Sequence, residues 1–220
     1  MKNLISCIFI IFASLPSIAQ TTSAQDSVKS TGERKADGNK RSKALNRVGV
    51  IFSSGIYAPI GSKNIFAPGP VFGVLLSSPI ADALSFDIGF KVRFYNDDKQ
   101  FVYRTKGNDN MVTSGSAIFF GPSLNRLIHE RRYNTIHARF GLGADIVFTD
   151  LKDVNKPSKE EYFNVTTLHG VCGLSAMHQF RNGKHIGIVT EFHVVPYGLS
   201  SRLKTRFDIC ALSAEVFFRL

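Results

Sequence analysis

A few residues have the types and spacing that chemistry needs. Glu191 and His193 are two apart, so on a strand they share a face, and His169 falls diagonal to His193 once neighbouring strands pair. Imidazole and carboxylate at such positions can ligate zinc, but a full ligand set cannot be assembled from them, and we read a hydrogen-bonded cluster with no metal or other cofactor. Ser200, Ser201 and Asp208 put hydroxyls and a carboxylate into one polar segment, the raw material of a hydrolase rim. No GxSxG, HExxH, P-loop or GxGxxG pattern accompanies them, so no enzymatic activity is expected.

The larger constellation is one of charge. Asp87, Lys91, Arg93, His137, Arg139, Asp145, His169, Glu191, His193, Glu215 and Arg219 all fall on the polar side of alternating segments. They carry both signs, as a confined ion-pair network requires, because an unpaired charge out of water is costly.

The elements that position them are strands. In Ala83 to Tyr95, Leu84, Phe86, Ile88, Phe90, Val92 and Phe94 point one way and Ser85, Asp87, Gly89, Lys91, Arg93 and Tyr95 the other. Thr135 to Thr149 repeats the pattern, and weaker versions run through about 47–57, 70–79, 114–124, 164–180, 185–196 and 207–220. Period-two alternation is a strand signal, whereas a helix would need spacings of three and four. The fold class is therefore all-β, with eight antiparallel strands. Connections near 58–69, 96–113, 150–163 and 197–206 are long and polar, while those near 80–82, 125–134 and 181–184 are short. Such alternation suits an up-and-down barrel with one end facing outward and the other a confined space. At Arg181-Asn182-Gly183 a three-residue loop with Gly183 left-handed pairs residues summing to 364, which keeps the two faces separate and sets Gly173 against Glu191.

The chain has 220 residues, a net charge of +10, no Trp and 19 Phe. Its N-terminus reads as a secretory leader over residues 1–19. Lys2 supplies the charge, Leu4 to Leu15 the short apolar run, and Ser17-Ile18-Ala19 the cleavage site. Cys7 has too few residues before it to be a lipid anchor, and Cys172 and Cys210 are expected as free thiols. Residues 20–46, polar and basic without Phe, Tyr or Ile, read as a flexible periplasmic tail, and 47–220 as the barrel.

Alternation alone fits a soluble barrel with an apolar interior as well as a membrane barrel with an apolar exterior. Glycine separates them. Gly49, Gly55, Gly89, Gly141, Gly143, Gly173 and Gly187 share the charged face, where a cramped interior would use them and a solvated surface would not. The opposite face holds Phe52, Phe86, Phe90, Phe94, Phe140, Phe148 and Phe192, too bulky to share a narrow interior. Aromatic residues also gather near strand ends, as in interfacial girdles: Tyr57, Phe72, Phe94, Tyr95, Phe148, Tyr162, Phe163 and Tyr197 at the long-loop end, and Tyr133, Phe180, Phe217 and Phe218 at the other.

The leader, the alternating strands, the loop asymmetry and the terminal Ala211 to Leu220 segment resemble small bacterial outer-membrane β-barrels of the OmpA/OmpX type, although that family usually ends in Phe. The resemblance is one of pattern over 47–220 and transfers no functional residue. It implies an integral outer-membrane, eight-stranded transmembrane β-barrel, inserted by the barrel-assembly machinery, with a structural or interaction role in envelope integrity, adhesion or an envelope complex. The expected lumen network is Asp87, Lys91, Arg93, Arg139, Asp145, Glu191, His193, Glu215 and Arg219, plugging the barrel. Arg202, Lys204 and Arg206 are the residues expected to meet lipopolysaccharide phosphates, and nucleic acid is excluded as a partner of an exported barrel. The competing readings are a secreted soluble barrel for a small apolar ligand and a narrow solute channel.

Overall fold

The structure is a computed structural model that describes residues 48–60, 66–95, 100–105, 108–151, 163–201, 203–204 and 209–220. The leader and tail expected over 1–46, with Arg202, Arg206, Asp208 and Tyr162, lie outside the described residues.

Among the described residues nine strands form one sheet: β1 (Gly49–Ile60), β2 (Gly69–Ala81), β3 (Leu84–Phe94), β4 (Phe101–Thr105), β5 (Asn108–Arg131), β6 (Asn134–Leu151), β7 (Phe163–Gln179), β8 (His185–Val195) and β9 (Ile209–Arg219). Eight of them close a barrel. Sequential neighbours pair antiparallel, β1 pairs with β9, and β3 pairs with β5 to complete the ring. The ninth, β4, pairs with the first residues of β5 and extends the sheet beyond the barrel rim. Among the described residues no helix is long and apolar enough to cross a membrane.

The β7–β8 connection has the expected geometry. Gly173 pairs with Glu191 and Cys172 with Phe192, Gly183 takes φ +82°, and Phe180 N–H donates to the Lys184 carbonyl at 2.8 Å. Two connections differ from expectation. The segment 125–134 is mostly strand, closed by a tight turn at Arg132-Tyr133 with Arg132 at φ +53°. Its alternation is disguised by exposed charges and by a bulge between Leu127 and His129. The segment 96–113 contains β4 and the start of β5, a hairpin whose polar register residues hid it.

Because inward positions are odd-numbered across the ring, apart from the start of β5 where Val112 and Ser114 are buried beside a register shift, the faces sort cleanly. Outward stand Phe52, Ile56, Phe72, Leu76, Phe90, Phe120, Leu124, Leu142, Phe192 and Leu212, all exposed, with Leu142 at 61%. Inward stand the charges and small residues. A Cβ on Gly173 would press on the Glu191 side chain, and one on Gly187 would strike the Phe217 ring, so these glycines leave the room that the large interior groups occupy.

Candidate functional site

The nine lumen residues named from sequence all lie inside the barrel, none more than 7% exposed. Strands β3, β6, β8 and β9 each contribute ions at alternate positions, and the register brings opposite signs together. Lys91 on β3 bridges Glu191 on β8 and Glu215 on β9, the latter at 2.7 Å. Arg139 on β6 reaches Glu191 Oε1 through Nε at 3.0 Å and donates from Nη2 to Ser123 Oγ at 3.0 Å, with Asp87 farther off at 3.8 Å. Arg93 pairs with Asp145, whose second oxygen accepts from the Tyr197 hydroxyl.

The histidines link these groups. His169 Nδ1 lies 3.1 Å from Asp145 Oδ1, and its Nε2 lies 2.9 Å from His193 Nδ1. His193 Nε2 contacts Ser213 Oγ at 2.8 Å, and Ser213 donates to Glu215 Oε1 at 3.2 Å. One continuous polar chain therefore runs from Asp87 through Arg139, Glu191, Lys91, Glu215, Ser213, His193 and His169 to Asp145. Among the described residues no group of three or more His, Cys, Asp or Glu is disposed to hold a metal ion. Arg219, at the short-turn end, lines the mouth of the interior with Asp87, His137 and Arg139.

Above this chain, toward the long loops, the interior turns apolar. Tyr57, Phe66, Tyr95, Phe101, Tyr103, Val112, Tyr197 and Leu203 form a buried cluster that closes that end. Tyr57, Tyr95 and Tyr197, grouped with the girdle aromatics, are thus at most 7% exposed and point inward, Tyr95 as the alternation with Lys91 and Arg93 places it, and Phe217 does the same at the opposite end. Tyr57, Tyr95 and Phe217 sit at inward register positions, and Tyr197 lies in a 3-10 turn, Tyr197–Leu199, directed into the lumen. The Arg93 guanidinium lies 4.6 Å from the Tyr57 ring centroid and 6.0 Å from that of Tyr95, so these rings roof a cation. Phe72, Phe94 and Phe180 do remain exposed on the outside.

The roof is pinned from the hairpin. Leu203 bridges to Tyr103, Lys204 N–H donates to the Val102 carbonyl at 3.1 Å, and Lys204 Nζ lies 2.6 Å from Asp109, which Arg104 also contacts at 3.0 Å. The hydrogen bonds from Lys204 and Arg104 hold the Asp109 carboxyl below the ordinary carboxylate range. Of the three basic residues expected at lipopolysaccharide, Lys204 is thus the one within the described residues, and its side chain is 57% exposed. Ser200 and Ser201 sit in the same segment, directly after the 3-10 turn. The free thiols are on the outside: Cys172 is exposed and Cys210 half-buried.

Sequence reading missed Ser123, Ser213 and Tyr197 as members of the network. The serines carried a signal, since both are odd-numbered on alternating strands; Tyr197 lies off the alternation and carried none.

Fold and interior together define a closed eight-stranded antiparallel β-barrel with a charged lumen and an apolar outer surface. No protein-family model matches the chain, and no curated protein sequence matches it. Among solved structures it is similar in fold to Neisserial surface protein A, with a TM-score of 0.52 at 11% identity, over 78% of this chain and 96% of that one. It also aligns with the N-terminal β-barrel domain of Pseudomonas aeruginosa OprF, at 0.43 and 11% identity, over 79% and 97% of the two chains. A major outer membrane protein from Thermus thermophilus aligns at 0.45 and 9% identity, over 79% and 99%.

Proposed function

We propose that this chain is an integral outer-membrane β-barrel, non-enzymatic and non-conducting, whose role is structural or interaction-based. The observation that carries the reading is the inversion of the barrel: a continuous apolar outer surface around an interior of paired charge. In water that arrangement exposes Phe or Leu on each of the eight barrel strands and buries ions that water would solvate, so it is stable only where lipid meets the outer face. Strands of 11 to 13 residues, as in β1, β2, β3, β8 and β9, are long enough to cross the hydrocarbon when tilted.

The same inversion argues against the soluble barrel for an apolar ligand, because the mid-lumen is lined by ions. The channel reading fares no better, since the ion-pair chain fills the middle and the aromatic cluster roofs one end. Long loops at the roofed end then face outward and carry whatever adhesion or envelope contact the protein makes; the exposed side chain of Lys204 supports a contact with lipopolysaccharide phosphate, which the sequence also assigns to Arg202 and Arg206. The barrel-assembly machinery inserts it.

Fractionation tests this. The protein extracted from washed envelopes should remain with the outer membrane and migrate faster unboiled than boiled in SDS, and in planar bilayers it should give no steady conductance. A soluble, unshifted protein overturns the membrane reading; open steps at every applied voltage overturn the closed lumen.

A further inference from the structure

Near the short-turn end, the outer face of β5 departs from the apolar pattern around it. Arg126 is exposed on that face, with Leu84 of β3 and Ala138 of β6 as its cross-strand partners and Leu124 and Ile128 beside it along its own strand. Leu124 and Ile128 are 44% and 59% exposed, so a permanent cation stands in an apolar surround. Its level is set by the β2–β3 turn. Leu84 opens β3, and the pairing of β3 with β5 ends where Leu127 N–H donates to the Ala83 carbonyl at 2.8 Å. Arg126 therefore stands at the margin of the apolar belt and not at its middle.

Beyond it, the bulge between Leu127 and His129 changes which residues of β5 face out. His129 pairs with Ile136 and Arg131 with Asn134, both exposed on the outside of β6, so His129 and Arg131 join Arg126 on that side. The neighbouring carboxylates lie elsewhere, Asp82 in the β2–β3 turn and Glu130 paired with the buried Thr135 on the other face of the hairpin. Among the described residues neither Arg126 nor Arg131 has an ion-pair partner, whereas at the long-loop end Arg104 and Lys204 both hold Asp109. Next to this face Tyr133 and Phe180 both approach the exposed His178 ring, at 6.3 and 5.3 Å between centroids, aromatics of the kind found at headgroup level. A guanidinium at the edge of lipid is costly without an anion. Two on one face favour a headgroup of net negative charge over one that brings its own ammonium.

We propose that the outer face of β5 at the short-turn end binds an anionic phospholipid, its phosphate accepting from Arg126 with Arg131 and His129 beside it, and its acyl chains against Leu124 and Ala138. This rests on the membrane reading above and adds a lipid site at the end opposite the long loops.

The chain has no Trp, so a single introduced indole reports its own lipid neighbours. The test places Leu124→Trp in the full-length protein, reconstituted in mixed phosphatidylcholine and phosphatidylglycerol bilayers, with acyl-chain bromines carried by one lipid or the other at the same mole fraction. Brominated phosphatidylglycerol should quench the indole as though bound about fivefold more tightly than phosphatidylcholine. Adding Arg126→Gln should bring the two lipids close to equality, while Arg181→Gln at the β7–β8 turn should leave the preference intact. Phe72→Trp, on the outer face near the long loops, should be quenched equally by both lipids. Should Leu124→Trp fail to fold, Phe140→Trp at its cross-strand partner gives the same reading with a smaller change. Equal quenching by the two lipids near Arg126, the same preference at Phe72→Trp, or a preference that survives Arg126→Gln overturns the proposal and leaves the membrane barrel standing. No quenching by either lipid overturns the membrane reading, and the proposal with it.

Discussion

At the scale of single residues, the interior works by mutual compensation. Lys91 holds two carboxylates, Glu191 and Glu215, in a space closed to solvent. Truncation to Lys91→Ala would leave both facing each other without their shared cation. Removing one partner of a buried pair costs about 3–5 kcal/mol, so a loss of that size is expected in urea unfolding of the refolded barrel. Replacement by Met would be expected to do no better, since the carboxylates remain. The parity of the sequence made these ions legible: every one sits at an odd position on an alternating strand. It could not show which ion pairs with which, because partner choice depends on side-chain reach across the lumen, as with Arg139 passing Asp87 to contact Glu191 closely. Nor did it show that Tyr57 covers Arg93, although alternation put Tyr95 on the same face as Arg93. Aromatics near strand ends look alike from sequence whether they meet a lipid interface or roof a guanidinium.

At the scale of elements, the informative cases are β5 and the β7–β8 turn. The turn was legible because a single residue of slip would have put Leu174 opposite Glu191 and mixed the faces, so the register had one consistent solution. The true length of β5 was hidden, since its ends leave the alternating core and carry Asn, Asp, Arg and His in water. The hairpin it makes with β4 depends on a tether, Asp109 with Lys204 and Arg104. Because the folded Asp109 pKa is depressed below its ordinary 3.8, the tether contributes above that value and is lost as pH falls through the lower, folded one. Amide exchange in residues 101–112 should therefore quicken below about pH 4 relative to the barrel strands, and Lys204→Ala should quicken it already at neutral pH. Unchanged protection at both would show that the backbone contacts at Leu203 and Lys204 suffice. On the outer face the relevant change is Phe90→Arg on β3. A charge near the lipid midplane costs about 2–4 kcal/mol, so folding into bilayers should weaken by that amount while a Phe90→Leu control stays close to native.

At the scale of the whole molecule, one claim carries the rest: lipid covers the outer face. The chain itself carries a reporter for it. Cys172 on β7 points outward and is exposed, with Phe140 and Phe192 as its cross-strand neighbours. With Cys210 replaced by Ser, a nitroxide on Cys172 in reconstituted bilayers reads its surroundings through relaxation by oxygen, which partitions into lipid, and by a water-soluble nickel chelate, which does not. A lipid-covered face predicts strong relaxation by oxygen and weak relaxation by nickel. Nickel dominating at this site would place the Phe-rich surface in water and contradict the membrane barrel.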